Sequence, residues 1–228
     1  MGIIAIVGAG NVGQAIAGHM TLLGHEVRLY SRWERDFEAI TSTGGIELSG
    51  DVEGRAAKPL LTTDLVTAVR GADTIIVAAP AFAHAYFSEQ IAALLEPGQL
   101  VVFQPGVLGS SLGLARHFAL AQRRPCLIAE TATSLYTCRL RGPAKVFIGA
   151  IKQAVPLATI PHAACQEALA RLSPYFGNRY VDGTDTLSVG LGNCNAIYHV
   201  PPAVLNIKTV EDSAKLPQHT LVTPRIAE

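Results

Sequence analysis

The sequence predicts an α/β protein of the Rossmann type: a doubly wound, mostly parallel sheet with antiparallel strands added near the end. Three observations predict it. The first is the opening stretch Ile3 to Gly13, IIAIVGAGNVG, where a β-branched run breaks into Gly8-x-Gly10-x-x-Gly13 and passes into a helical pattern. The second is the alternation of apolar runs and helical patterns as far as Glu130, the spacing of right-handed βαβ crossovers. The third is a change after Lys145, where two apolar runs stand too close together for a crossover helix.

Each element has its local reason. In the opening loop Gly8 allows a tight turn, Gly10 lets the backbone approach a pyrophosphate, and Gly13 lets the helix lie close on the strand. The helical pattern of Gln14 to Leu23 follows at once, and the N–H groups and dipole at its N-terminus, with Asn11, Val12 and Gly13 leading into it, favour an anion. A glycine-rich structural turn is the competing reading. Glu26 to Tyr30 reads as the second strand. NAD-selective folds end this strand in Asp or Glu, which holds the ribose 2′-OH. Here stand Ser31, Arg32 and, one turn on, Arg35, a hydroxyl and two guanidinium groups suited to a 2′-phosphate. NADP is therefore the expected cofactor, with NAD as the second choice; the alternative is that both arginines are solvated surface residues.

Gly44 to Ala57 alternates apolar and polar residues around Ser49-Gly50-Asp51, which predicts a β-hairpin against the nucleotide domain, broken off by Pro59. Asp64 is an N-cap for a short helix, and Ala72 to Ala78 is an apolar strand. Ala79 and Pro80, at its carboxyl end, fall where open α/β sheets bind ligands. His84 follows in the first turn of a helix and reads as an ordinary polar helix residue. Gln99 to Phe103 is the next strand, ending in Gln104-Pro105-Gly106. A helix from Ser111 to Ala121 leads to a strand at Cys126 to Ala129, and the nucleotide domain is expected to close near Thr133. KVFIGAIK and AVPLATI, within Lys145 to Ile160, should pair with each other antiparallel and extend the sheet; Pro161 starts a helix through Leu172.

Asn195 and His199 are four residues apart and share one helix face. Pro201-Pro202 should end that helix just beyond His199. A histidine beside an amide at a helix end is placed to exchange a proton with a substrate, since its ordinary pKa lies near neutrality. A core histidine satisfied by Asn195 or a carbonyl fits the spacing equally well. The organisation expected is a dinucleotide-binding domain with antiparallel extension over 1–185, and a histidine-bearing linker with the start of a helical domain over 186–228.

The bulk composition excludes more than it assigns. Eighteen basic and eighteen acidic residues give no net charge, so no global electrostatic case exists for nucleic acid or an anionic membrane, and an anionic ligand must be held locally. Cys126, Cys138, Cys165 and Cys194 show neither CxxC nor metal-ligand spacing, and no metal is expected. No apolar run approaches the roughly 18–20 residues that span a bilayer. A cytoplasmic protein is expected. Only 16% of residues are charged, which suggests a face covered by another domain or by a second subunit, as in a homodimer.

Several longer stretches carry a resemblance. GAGNVGQAIA, AAPAFAH, FQPG with AETATSLYTCRL, KQAVPLATIPH and LGNCNAIYHVPPAVLN together resemble the octopine/nopaline family of opine dehydrogenases over nearly the whole length. The resemblance implies reduction, by NADH or NADPH, of the imine formed between an α-keto acid and the amino group of an amino acid. It implies that His199 is the catalytic acid/base, that Thr133 and Cys138 line the keto-acid side with Gln104 placed similarly, and that Asn195 is the asparagine ahead of the histidine. One departure is Val200, which stands between His199 and the prolines where the family has proline directly. The family also implies a further helical domain, with a carboxylate partner for the histidine, so the chain is expected to be truncated and to bind cofactor with little turnover. Two rivals stay open. One is another two-domain reductase, of the glycerol-phosphate or ketopantoate type, which would need a lysine-centred site. The other is a non-enzymatic NAD(P)-sensing module.

Overall fold

β1 (Ile3–Val7) lies at the middle of the molecule, and α1 (Asn11–Leu22) follows it directly. The computed structural model describes residues 2–106, 109–122, 126–212 and 222, with the backbone alone for 195–197 and 210. After α1 come β2 (Glu26–Tyr30), α2 (Glu38–Thr43), β3 (Gly45–Gly50), β4 (Gly54–Ala57), β5 (Leu60–Thr62) and α3 (Leu65–Val69). Then follow β6 (Thr74–Val77), α4 (His84–Ala92), β7 (Leu100–Phe103), α5 (Ser110–Leu120) and β8 (Leu127–Thr131). The remainder is β9 (Tyr136–Gly142), β10 (Lys145–Ile151), β11 (Val155–Ile160), α6 (Cys165–Phe176), β12 (Tyr180–Asp182), α7 (Thr186–Leu191), α8 (Asn195–Leu205) and α9 (Ile207–Asp212).

The main sheet runs β12-β11-β8-β7-β6-β1-β2-β5. From β5 to β8 every neighbouring pair is parallel, the winding order of a doubly wound nucleotide fold, and the chain reverses direction across the sheet between β1 and β6. β11 joins β8 antiparallel and β12 joins β11 parallel. The expected antiparallel extension is therefore present. The expected partner is not: β10 does not pair with β11. It pairs antiparallel with β9 and parallel with β3, in a second sheet of order β4-β3-β10-β9. The sequence reading missed β9, whose YTCRLRG is mostly polar because only Tyr136 and Cys138 of it are buried. β9 supplies the near neighbour that β11 was expected to be.

The two sheets clamp α1 between them. Ala15, Ile16, Ala17 and Met20 are fully buried, packed with Ile46, Leu48, Val146 and Ile148 of the second sheet. A helix apolar on both faces is one that is covered on both faces. At Gly18 an added Cβ would stand 2.9 Å from Leu48, so the small residue sets how closely the second sheet approaches. The opposite face of the main sheet is covered by α3, α4 and α5 around Ile75, Val77, Val101 and Phe103. Asp64 caps α3, accepting from the amides of Val66 and Thr67.

The described chain divides into two compact units, Met1–Gly190 and Leu191–Glu228. In the second, α8 does not stop beyond His199. It runs through Pro201 and Pro202 to Leu205. Proline removes a donor but its fixed φ is helical, so the helix loses bonds there without losing its path.

Candidate functional site

The carboxyl ends of β1 and β6 meet at the point where the winding reverses, and the glycine loop sits there. Gly8 has φ +119°, its N–H donates to Tyr30 O at 2.9 Å, and a Cβ on it would lie 2.8 Å from Ala78 O. At Gly13 a Cβ would lie 1.8 Å from Gly8 O, a distance no side chain tolerates. Gly10 differs from both: nothing stands within 4 Å of where its Cβ would be, and its φ is an ordinary −78°. The first helical bond of α1 runs from Gln14 N–H to Gly10 O at 2.9 Å. The amides of Asn11, Val12 and Gly13 are thus the donors that a helix start leaves without a partner inside the helix, in the turn next to Gly10. The pyrophosphate of a dinucleotide fits this cradle, because the room and the donors occur together.

The loop is held from outside by Gln14, which the sequence reading passed over, and by β9, including Cys138, which the resemblance places on the keto-acid side. The Gln14 side chain donates through Nε2 to Ala9 O at 2.8 Å. Leu140 N–H donates to Asn11 Oδ1 at 2.7 Å, and the Cys138 thiol donates to Asn11 O at 3.4 Å, so β9 buttresses the first residue of α1. Cys138 is itself buried beneath the loop, and burial pushes its thiol up to about 11.

At the end of β2, Ser31 is buried and its hydroxyl donates to the Asp36 carboxylate. Asp36 escaped the sequence reading because it sits six residues past the strand, brought back by the one-turn helix over Glu34–Phe37. The Arg32 guanidinium lies 5.3 Å from the Trp33 ring centre and 4.9 Å from that of Tyr86, and Arg35 lies 5.2 Å from Trp33. Cations over aromatic faces within about 6 Å are attracted to them. Two exposed cations and one carboxylate therefore share this edge, a mixed set able to meet either a 2′-phosphate or a 2′-hydroxyl.

At the end of β6, Ala79 is buried and Pro80 exposed. His84 is no ordinary surface residue: it is buried, with Nε2 donating to Ala79 O at 2.9 Å and Nδ1 2.8 Å from Ser110 Oγ. Burial lowers its pKa, more than the Ala79 bond raises it. The neutral ring ties the β6 loop to the start of α5. Glu130 is a second buried group the sequence reading passed over. It accepts from Ser111 N–H at 2.8 Å, and burial holds its carboxyl above the usual range.

The ends of β7 and β8 carry Gln104 and Thr133. Gln104 is wholly buried; it accepts from the Tyr180 hydroxyl, while its Nε2 has no hydrogen-bond partner. Thr133 is half-buried, its carbonyl accepts from Thr131 Oγ1 at 2.9 Å, and its own hydroxyl accepts from Lys152 Nζ at 2.7 Å. In the second unit Asn195 and His199 stand one turn apart on α8, as their spacing predicts, and His199 is exposed. Among the described residues no group of three or more His, Cys, Asp or Glu could hold a metal ion, and no helix is long and apolar enough to cross a membrane.

Residues 4–153 match the ketopantoate reductase PanE/ApbA family. The chain belongs to that family. It is the family of one rival weighed on the sequence, and the match covers the glycine loop, the second sheet and Lys152. Individual relatives carry the opine resemblance. An opine dehydrogenase of Arthrobacter sp. (strain 1C) is 33% identical over 208 residues, which is 91% of this chain and 58% of that protein. The chain thus spans a little over half the length of this curated relative. Among solved structures, octopine dehydrogenase with NADH and L-arginine superposes with TM-score 0.75 at 20% identity, covering 95% of this chain and 56% of the other. Yersinopine dehydrogenase with NADP+ does so with TM-score 0.70 at 18% identity, covering 90% and 52%. At those identities the likeness is one of fold, and it extends across most of this PanE/ApbA member.

Proposed function

We propose that the chain is the dinucleotide-binding part of an NAD(P)H-dependent opine-type dehydrogenase, which condenses an α-keto acid reductively with the amino group of an amino acid. The observation that carries the cofactor half is the empty space beside Gly10, flanked by the unpaired amides of Asn11, Val12 and Gly13. Arg32 and Arg35 give NADP the preference. The Asp36 carboxylate, held by Ser31, leaves NAD acceptable. When bound, the nicotinamide supplies the hydride, and the rest falls to the protein.

The substrate half rests on the opine relatives. Gln104 and Thr133 serve the keto-acid side, whereas Cys138, bonded to Asn11 under the glycine loop, serves the cofactor side instead. His199, with Asn195 a turn before it, exchanges a proton with the nitrogen or the carbinolamine hydroxyl. The partners are small molecules, the compartment is the cytoplasm, and a homodimer would account for the sparse surface charge. The chain alone should hold cofactor and turn over little.

Parallel titration with NADPH and NADH tests the first half, with a tighter fit to NADPH expected. Absence of binding by either overturns the reading. The family match favours one second reading, reduction of a 2-keto compound without an amine. Turnover of pyruvate by a longer enzyme carrying this segment, with no amino acid added, would establish it.

A further inference from the structure

We propose that Lys152, which no sequence motif singled out, binds the carboxylate of the α-keto acid, with Thr133 orienting it. This inference rests on the opine-type reading above and names the group that would hold one end of its substrate.

A small keto acid offers little to grip except its carboxylate, so its site needs a cation or several N–H donors. The other basic groups near the site are engaged, exposed or remote. Arg32 and Arg35 lie on Trp33 beyond β2, Arg139 is exposed to solvent, and Lys145 pairs with Glu47 at 3.1 Å. Lys152 is different. It is half-buried, its Nζ has one hydrogen bond, to Thr133 Oγ1 at 2.7 Å, and no carboxylate lies within 4.0 Å of it among the described residues. An ammonium has three protons to donate, so two remain for a ligand. Leaving a half-buried cation without a counter-charge is unfavourable, and desolvation does lower its pKa. A bound carboxylate would reverse that cost.

Its placement fits the substrate and not the cofactor phosphates. The backbone of Lys152 is pinned to Leu135 O at 3.0 Å, and Thr133 lies just past β8. β8 is separated from β1 by β7 and β6, so at the usual ~4.8 Å per strand the two ends stand about 14 Å apart across the sheet. The phosphate cradle is on β1. Beside β8, at the end of β7, is Gln104, wholly buried with a donor nitrogen unused. An unpaired cation and an unpaired amide on neighbouring strand ends are a donor pair that a carboxylate satisfies.

The test is pyruvate binding by the 228-residue chain loaded with NADPH, comparing the unsubstituted protein with Lys152→Met and Lys152→Arg. Lys152→Met should weaken pyruvate roughly ten- to hundredfold while leaving NADPH affinity within about twofold, and Lys152→Arg should keep most of the pyruvate affinity. Equal pyruvate affinity in Lys152→Met overturns the proposal, and so does failure of the unsubstituted NADPH-loaded chain to bind pyruvate. Loss of NADPH affinity with pyruvate unaffected would assign the lysine to a cofactor phosphate and also overturn it. Against misfolding of a variant, the unsubstituted chain can be labelled with ¹³Cε-lysine, which leaves all three ammonium protons in place. The Lys152 Cε resonance should shift on adding pyruvate; no shift at saturation refutes the assignment. Failure to bind NADPH refutes the opine-type reading instead, and the Cε shift with pyruvate alone still decides the role of Lys152.

Discussion

The carboxyl edge of the main sheet holds two regions built on opposite principles. Over β1 the site is made of backbone: helix amides supply the donors, and the glycines are defined by what cannot be added to them. Over β7 and β8 it is made of side chains, Gln104, Thr133 and Lys152, some of whose polar atoms remain unmatched within the protein. A backbone site can be complete before its ligand arrives, because its unpaired amides are those of any helix start. A side-chain site that buries polar groups without partners is destabilising until something satisfies them. On the proposed reading the first region meets its ligand ready-made, and the second gains stability from occupancy.

The sharpest way to break this comparison lies within the glycine loop. Gly13→Ala drives a Cβ to 1.8 Å from Gly8 O, so it should destabilise the fold by about 1–3 kcal/mol or more and abolish NADPH binding, seen as a lowered Tm and a lost fluorescence titration. Gly10→Ala has open space and an ordinary φ, so its stability should stay within about 0.5 kcal/mol of the parent while NADPH affinity falls at least roughly tenfold. A Gly10→Ala variant that binds normally would mean that the space is not the cradle. Arg32→Ala should weaken NADPH by roughly tenfold and NADH hardly at all, and an equal loss for both would leave its position over Trp33 and Tyr86 a packing role.

The link between the two regions should show in acid. His84, between Ala79 and Ser110, and His19, bonded to Tyr136 OH at 2.7 Å, both have pKa values lowered mainly by burial. Each is neutral in the fold, and the unfolded chain takes up the proton first. Stability is therefore fully present above 6.5 and is lost as pH falls from there through the lowered folded values. Urea midpoints should drop between neutral and mildly acidic pH, and by less in His84→Gln; a flat profile would deny the histidines this role. The smallest effect concerns the thiols. Cys138, held at about 11 beneath the loop, should resist iodoacetamide at mildly alkaline pH while exposed Cys194 reacts, read by peptide mass. Rapid labelling of Cys138 would mean that β9 does not shield the loop.

What the sequence disclosed follows the same division. Gly8, Gly13 and the Asp64 cap are legible because the residues that create each constraint lie within a few positions of one another. The order of β1, β2, β6, β7 and β8 is legible because each strand is a buried apolar run. β5 and β12, of three residues each, are too short to show a period, and β9 is half polar. The pairing of β10 with β3 cannot be read from adjacent sequence at all, and adjacency instead suggested the wrong partner, β11. The same holds for side chains. Asp36 returns to Ser31 through a one-turn helix, and Lys152 meets Thr133 only because β9 and β10 fold back. Pro201-Pro202 misled for a different reason, since a lost donor weakens a helix more than it deflects one.

The parallel pairing of β3 with β10 sets Glu47 opposite Lys145. A pairing between residues about a hundred positions apart is late to form. On a ribosome adding about 5–20 residues per second, the glycine loop and its helix would emerge roughly 5–20 seconds before the strands that brace them. During that interval the outer face of α1 would be covered by β3 and β4 alone, without β9 and β10. The nascent chain would carry a recognisable nucleotide loop well before it carried a competent one, and it would depend most on chaperones between those two moments.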